Sequence, residues 1–285
     1  MPPINADQRT IDSFGAEWGR FDQTTVAAGE SHALFEQYFR IFPWSEIPSG
    51  GGTAADFGCG SGRWAALVAP RVAKLHLVDA SSEALNVARR NLHAIANVEF
   101  HQADVNNAPL AETSLDWAYS LGVLHHLPHT EQAIAAIARK LKPGAPLLLY
   151  LYYALDNRAG WYRVLWRASD VVRRCVSRLP RSLKFASAEV FAALVYWPLA
   201  RSAAFAARLG MNTRGWPLAY YADRSFYIMR NDALDRLGTP LERRFTRSQI
   251  EAMLRRCGFA GVVFSDSAPY WCVVARAHGA RSIHT

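Results

Sequence analysis

The 285-residue sequence has only four cysteines, and they are scattered. Cys59, Cys175, Cys257 and Cys272 form no CxxC pair and no Cys/His cluster. That spacing speaks against a disulfide framework and a structural zinc site, and each thiol reads as a small apolar side chain. No basic region followed by an apolar run opens the chain, so no signal peptide is expected. Long hydrophobic runs are also missing: the longest, from Phe191 to Ala200, is far short of the ~20 residues of a membrane span, and Pro198 interrupts it. There is no internal repeat, no low-complexity tract and no evident metal-ligating constellation. A cytoplasmic protein without a metal is the expectation, and an apolar fraction of 51% is ample for a packed core.

Acidic residues are scarce in one place. From Arg158 to Arg214 stand eleven Arg/Lys against only Asp170 and Glu189, an excess of nine, whereas the whole chain is +8. The remainder therefore sums to −1, and the basicity belongs to one segment.

Three regions follow from the pattern. Residues 1–50 form helical turns that end in the break Ile47-Pro48-Ser49-Gly50-Gly51-Gly52. Residues 51–152 alternate short apolar runs with helical periodicity, the mark of βαβ units on a parallel sheet. Strands are expected near 53–57, 74–78, 98–101, 115–120 and 146–151, with helices near 63–70, 82–93 and 131–141. Residues 153–245 interrupt this with Arg-rich, aromatic-rich helical patterns. The α/β pattern resumes over 246–285, where Thr246 to Gln249 read as a capping box, Gly258 as a helix end, and 261–265 and 270–276 as strands.

The first strand runs into Asp56-Phe57-Gly58-Cys59-Gly60-Ser61-Gly62-Arg63. Alternate glycines let the backbone turn tightly and approach a ligand, and the helix N-terminus behind them favours negative charge. Asp79 closes the second strand, where an acidic side chain would meet a ribose diol. At an open strand end its loss is expected to cost little stability without ligand. A dinucleotide site has the same parts, but its fingerprint needs a third glycine where this chain has Arg63.

DFGCGSG, LVDAS, ADV, LDWAYSLGVLHHL and LKPG, in this order, resemble class I S-adenosylmethionine-dependent methyltransferases, most of all small-molecule enzymes of the ubiquinone/menaquinone type. The resemblance implies a Rossmann-like α/β fold, a doubly wound seven-stranded sheet of order 3-2-1-4-5-7-6. An N-terminal helical lid would precede it, and a helical insertion, an acceptor cap, would follow strand five. It implies S-adenosylmethionine as cofactor. Gly58, Gly60 and Gly62 would cradle the methionine end, with Asp56 supporting its amino group. Asp79, with Ala80 beside it, would take the ribose, and Asp104 and Val105 the adenine. Ser120 and Leu121 would pass near the methyl donor. Phe14, Trp18 and Phe21 share a helical face, and the FxxEWxxF segment is similar to a lid in which Trp18 closes over the cofactor.

For the acceptor, methyl transfer needs alignment and exclusion of water, and a hydroxyl acceptor gains from a general base. His125 and His126 are the candidate bases, with an architectural role as the alternative. No Asn/Asp-Pro-Pro-Tyr/Phe stretch follows strand four, which weakens modification of a nucleic-acid base, and no nucleic-acid module accompanies the charge. O-methylation of a small or lipid-linked, anionic acceptor is the reading. The alternatives are a catalytically silent membrane or carrier-protein binder and a nicotinamide-dependent oxidoreductase. Segment 158–214 is read as an acceptor lid, as a surface for peripheral contact with the inner membrane, as a site for an acidic carrier protein, or as a solvated charged face.

Overall fold

The computed structural model describes residues 5–213 and 215–278; Arg214, counted in the basic segment, and the ends of the first and last regions lie outside the described residues. Five short segments form β1 (Thr53–Phe57), β2 (Lys74–Asp79), β3 (Val98–Gln102), β4 (Trp117–Leu121) and β5 (Pro146–Tyr150), all paired in parallel. β6 (Phe259–Phe264) and β7 (Cys272–Ala277) complete the sheet, with β7 antiparallel to β5 and β6. The order is β3-β2-β1-β4-β5-β7-β6, as the family resemblance implies. All five residues of β4 are buried, as befits a central strand covered on both faces.

The helices among these strands and ahead of them are α1 (Gln8–Arg20), α2 (Ala28–Tyr38), the single turn α3 (Ala65–Val68), α4 (Ser82–Asn91) and α5 (Thr130–Lys140). The chain then passes through α6 (Gly160–Val176), α7 (Arg181–Phe191), α8 (Trp197–Arg208) and α9 (Phe226–Gly238) before α10 (Arg247–Arg256). Local signals act where the sequence carries them. The Ser81 hydroxyl accepts from the Ala84 N–H to cap α4. Thr246 and Gln249 close a reciprocal capping box on α10, and Gly258 turns the chain beyond it at φ +82°.

The chain divides into two compact units: the described parts of Met1–Asp22, Ser31–Asn157 and Leu241–Thr285, and then Gln23–Glu30 with Arg158–Pro240. The boundaries differ from those expected at 153 and 245, because hydrogen bonds hold the flanking residues to the sheet. Phe245 donates to the Tyr152 carbonyl, Ala154 to that of Phe245, and Arg243 to that of His125. The 1–50 segment is likewise not one lid. Phe35, Phe39 and Phe42 are buried and pack with Trp44 against Trp117 and Tyr119 of β4, so residues 31–50 belong to the core. Residues 23–30 go with the second unit, where Gln23 donates its N–H to the Tyr227 hydroxyl and its amide to Asn231.

In that second unit α7 and α8 are joined through a π-helical turn, Ala192–Tyr196, into one helix, Arg181–Arg208. Pro198 sits in the first turn of α8 just after it, where a missing N–H is accommodated by the widened turn. The short apolar run seen in the sequence is thus part of a 28-residue helix that is long and apolar enough to cross a membrane by length and composition.

Candidate functional site

The strand order reverses between β1 and β4, and a cavity of about 900 Å³, its open mouth included, lies beyond their carboxyl ends. Crevices at such a reversal are where α/β sheets bind ligands. Gly58, Asp79, Ala80, Asp104, Val105, Leu121, Trp18 and His126 are all on its wall. Asp56, Gly60, Gly62, Ser120 and His125 are not among the residues that line it.

The glycine loop is built by backbone geometry. Gly58, Gly60 and Gly62 have φ of +85°, +53° and +76°. A Cβ on Gly60 would lie 2.7 Å from the Trp18 ring, so α1 can rest on the loop only because that position has no side chain. Asp79 braces the loop from β2: one carboxylate oxygen accepts from the Gly60 N–H at 2.9 Å and the other from the Ser81 N–H at 2.8 Å. Burial raises the Asp79 carboxyl above its ordinary range, and those two N–H groups oppose the rise.

This corrects the expectation that Asp79 is dispensable without ligand. A carboxylate has about four lone-pair sites, so it can brace the loop and still receive a diol. Asp79→Ala is expected to weaken cofactor binding by ~1.5–3 kcal/mol and also to destabilise the ligand-free chain by ~1–3 kcal/mol, because two buried N–H groups lose their acceptor. Calorimetry and thermal melts check both; a ligand-free melt unchanged from wild type would remove the bracing role.

Asp104 is engaged in the same way. It caps the 3₁₀ turn Val105–Asn107, accepting from the Asn106 N–H and the Asn107 amide at 3.0 and 2.8 Å, and keeps an edge on the cavity beside the buried Val105. Asp56 is different. Its Oδ2 and the hydroxyl of neighbouring Tyr119 are buried with no hydrogen-bond partner among the described residues. Desolvation lifts the Asp56 carboxyl to about 8, with the Asp79 charge adding to the rise and Arg63 opposing it, so at neutral pH it is mostly the neutral acid. The Ser120 hydroxyl donates to the Phe57 carbonyl at 2.7 Å and ties β4 to β1.

The two histidines, adjacent on the 3₁₀ turn Leu124–His126, have separate fates. His125 is fully buried, stacked on Tyr152 at 3.9 Å, with neither ring nitrogen hydrogen-bonded among the described residues. Burial, then His126 and Arg244, push its imidazole well below the usual histidine range, so it stays neutral and away from the cavity. His126 lines the cavity next to Phe14, and its Nδ1 pairs with the Leu241 carbonyl at 2.7 Å. A carbonyl only accepts, so Nδ1 carries the proton and Nε2 is the basic nitrogen.

Some wall residues are not singled out by the sequence. Thr10 and Ile11 precede Phe14 and Trp18 on one face of α1, and that spacing is the signal that places them. Arg63, visible in the sequence only as a missing glycine, also lines the cavity, its guanidinium 4.2 Å over the Trp64 ring.

One cluster elsewhere has donor atoms of metal-ligand type. His76, Glu99 and His101 meet across β2 and β3, with the two imidazole nitrogens 2.9 Å apart. Lys74 pairs with Glu99 at 2.6 Å, however, which occupies the carboxylate and sets a positive charge beside the imidazoles. Burial lowers both imidazoles, which suits a neutral, mutually hydrogen-bonded pair. The arrangement is explained without an ion.

With this geometry in view, a family model described as a methyltransferase domain matches residues 54–144. An uncharacterised methyltransferase of Mycobacterium tuberculosis is 29% identical over 129 residues, 45% of this chain and 65% of that protein. The ubiquinone/menaquinone biosynthesis C-methyltransferase of Pseudomonas putida is 27% identical over 166 residues, 55% of this chain and 63% of that protein. Each alignment thus spans less than two thirds of the relative's length. Among solved structures, one assigned to a methyltransferase of Bacillus halodurans has a TM-score of 0.51 at 17% identity, covering 81% of this chain and 70% of that one, a likeness of fold. Residues 54–144 are a methyltransferase domain on a Rossmann-like sheet.

Proposed function

We propose that the chain transfers the methyl group of S-adenosylmethionine to an oxygen of a small or lipid-like, anionic acceptor. The observation that carries this is the meeting, on one cavity, of the Gly58 turn, Asp79, Asp104 with Val105, and His126. The first four fit the cofactor. Asp79 and Asp104 offer acceptor oxygens for hydroxyl and amino groups, Val105 and Leu121 offer apolar surface, and no side chain at Gly58 obstructs the approach. When bound, S-adenosylmethionine supplies one electrophilic methyl on a sulfonium.

The chain's own residues then have three tasks. Trp18, Phe14 and Ile11 of α1 cover the cavity and limit water at the transfer point. His126 Nε2 accepts the proton of the acceptor hydroxyl as the new O–CH₃ bond forms and the S–CH₃ bond breaks. Arg63 on the wall supports an anionic acceptor.

The test is acceptor-dependent product release. With trideuterated S-adenosylmethionine, pooled hydroxy- and carboxy-bearing small molecules and lipids are expected to yield S-adenosylhomocysteine and a product whose label is lost on ether or ester cleavage. Label retained on carbon or nitrogen would overturn the O-methyl assignment and leave the methyltransferase reading standing.

A further inference from the structure

The second unit wears its large apolar side chains on the outside. In helix Arg181–Arg208, Leu183, Val190, Leu194, Trp197 and Phe205 recur at helical spacing and are all exposed, Leu194 to 72% and Phe205 to 64%. The buried positions of the same helix are Ala188, Ala192, Tyr196, Ala200, Ala203 and Ala206, mostly small. A helix of a water-soluble surface shows the opposite distribution. α6 repeats the feature, with Trp161, Val164, Leu165 and Val171 exposed along one face.

We propose that this unit docks on the surface of an anionic lipid bilayer, with the outward face of Arg181–Arg208 seated at the headgroup boundary. The helix has the length and composition to cross a bilayer, but it is held along its inner side. Glu189 is paired with Arg230 of α9, Tyr196 packs on Tyr221, and Arg201 donates to the Ala222 and Arg224 carbonyls. A helix so tethered lies on a membrane and does not thread it. At ~1.5 Å per residue it presents a face roughly 40 Å long.

Charge selects the occupant. Between Arg158 and Arg214 the only two acids are neutralised internally, Asp170 by Arg173 and Arg174 and Glu189 by Arg230. Arg163, Arg167, Arg178 and Arg208 are exposed. A second copy would set the same excess of nine positive charges against itself. An acidic protein would satisfy the charge and leave the apolar face without a match. Anionic lipid meets both, phosphates for the arginines and acyl chains for the leucines and aromatics.

The inference goes beyond the proposed methyl transfer and is tested apart from it, by flotation of the full chain with phosphatidylcholine vesicles with or without phosphatidylglycerol. Binding is expected only to vesicles with phosphatidylglycerol, and high salt should weaken it through screening. Leu194→Glu with Phe205→Glu, both at exposed positions, is expected to abolish binding while the thermal melt stays unchanged. Arg163, Arg167 and Arg178 replaced together by Gln should weaken it on the order of a hundredfold. S-adenosylhomocysteine affinity should not move in either variant. Absence of binding, equal binding to neutral vesicles, or binding that survives both variants would overturn the proposal. So would a wild-type dimer that the Leu194/Phe205 variant converts to monomer, which would make the face a self-interface.

Discussion

Gly58→Ala is expected to lower cofactor affinity on the order of tenfold or more and to destabilise the fold by ~2–5 kcal/mol, the sum of backbone strain and overpacking. The residue sits at φ +85°, where a side chain is strained. A Cβ there would also lie 2.4 and 2.5 Å from the two Val123 methyls, closer than any real contact. Val123 is itself on the cavity wall, so relief by moving it reshapes the site. Relief by moving the loop breaks the Gly58 and Cys59 N–H bonds to the Val78 carbonyl. Gly144→Ala is the control: φ is +81°, nothing lies within 4 Å, and the position precedes β5, outside the cavity wall. It should cost only the ~1–2 kcal/mol of left-handed strain and leave affinity intact. Thermal melts and calorimetry on both variants decide this; equal behaviour of the two would mean that crowding at Gly58 is unimportant.

His126→Ala is expected to reduce turnover by ~10²-fold with cofactor affinity nearly unchanged, the mark of a lost general base. The Nδ1–Leu241 bond goes with it, which should cost ~1 kcal/mol of stability. Steady-state turnover with the identified acceptor, set beside calorimetry for S-adenosylhomocysteine, separates the two effects. Turnover equal to wild type would return His126 to architecture, the role that its carbonyl bond and its contact with Phe14 would then fill. His125→Phe, which keeps a ring on Tyr152, serves as the neighbouring control and should retain turnover.

The strands were legible to within two residues because short apolar or alternating segments end in turns that carry glycine or acid. The glycine loop was legible because positive φ at alternate positions is a local demand that only glycine meets cheaply. What was not legible depends on distant partners. Nothing near Asp79 in the chain shows that Gly60, 19 positions earlier, donates to it. His125 and His126 are neighbours with equal chemistry, and only the fold turns one to the cavity and the other onto Tyr152. Residues 31–50 share the lid's helical periodicity, which does not say what a helix covers, and it is the rings of Phe39, Phe42 and Trp44 that find β4. The outward apolar face of Arg181–Arg208 was hidden for a related reason: both sides are apolar, and only packing tells the alanines from the leucines.

The central claim is that the Gly58–Asp79–Asp104 cavity is a site for S-adenosylmethionine, and calorimetric titration of the full chain tests it most directly. The account predicts that S-adenosylhomocysteine binds with about micromolar affinity, that Asp79→Ala weakens this, and that NADH gives no heat of binding. Binding of NADH without binding of S-adenosylhomocysteine would contradict it.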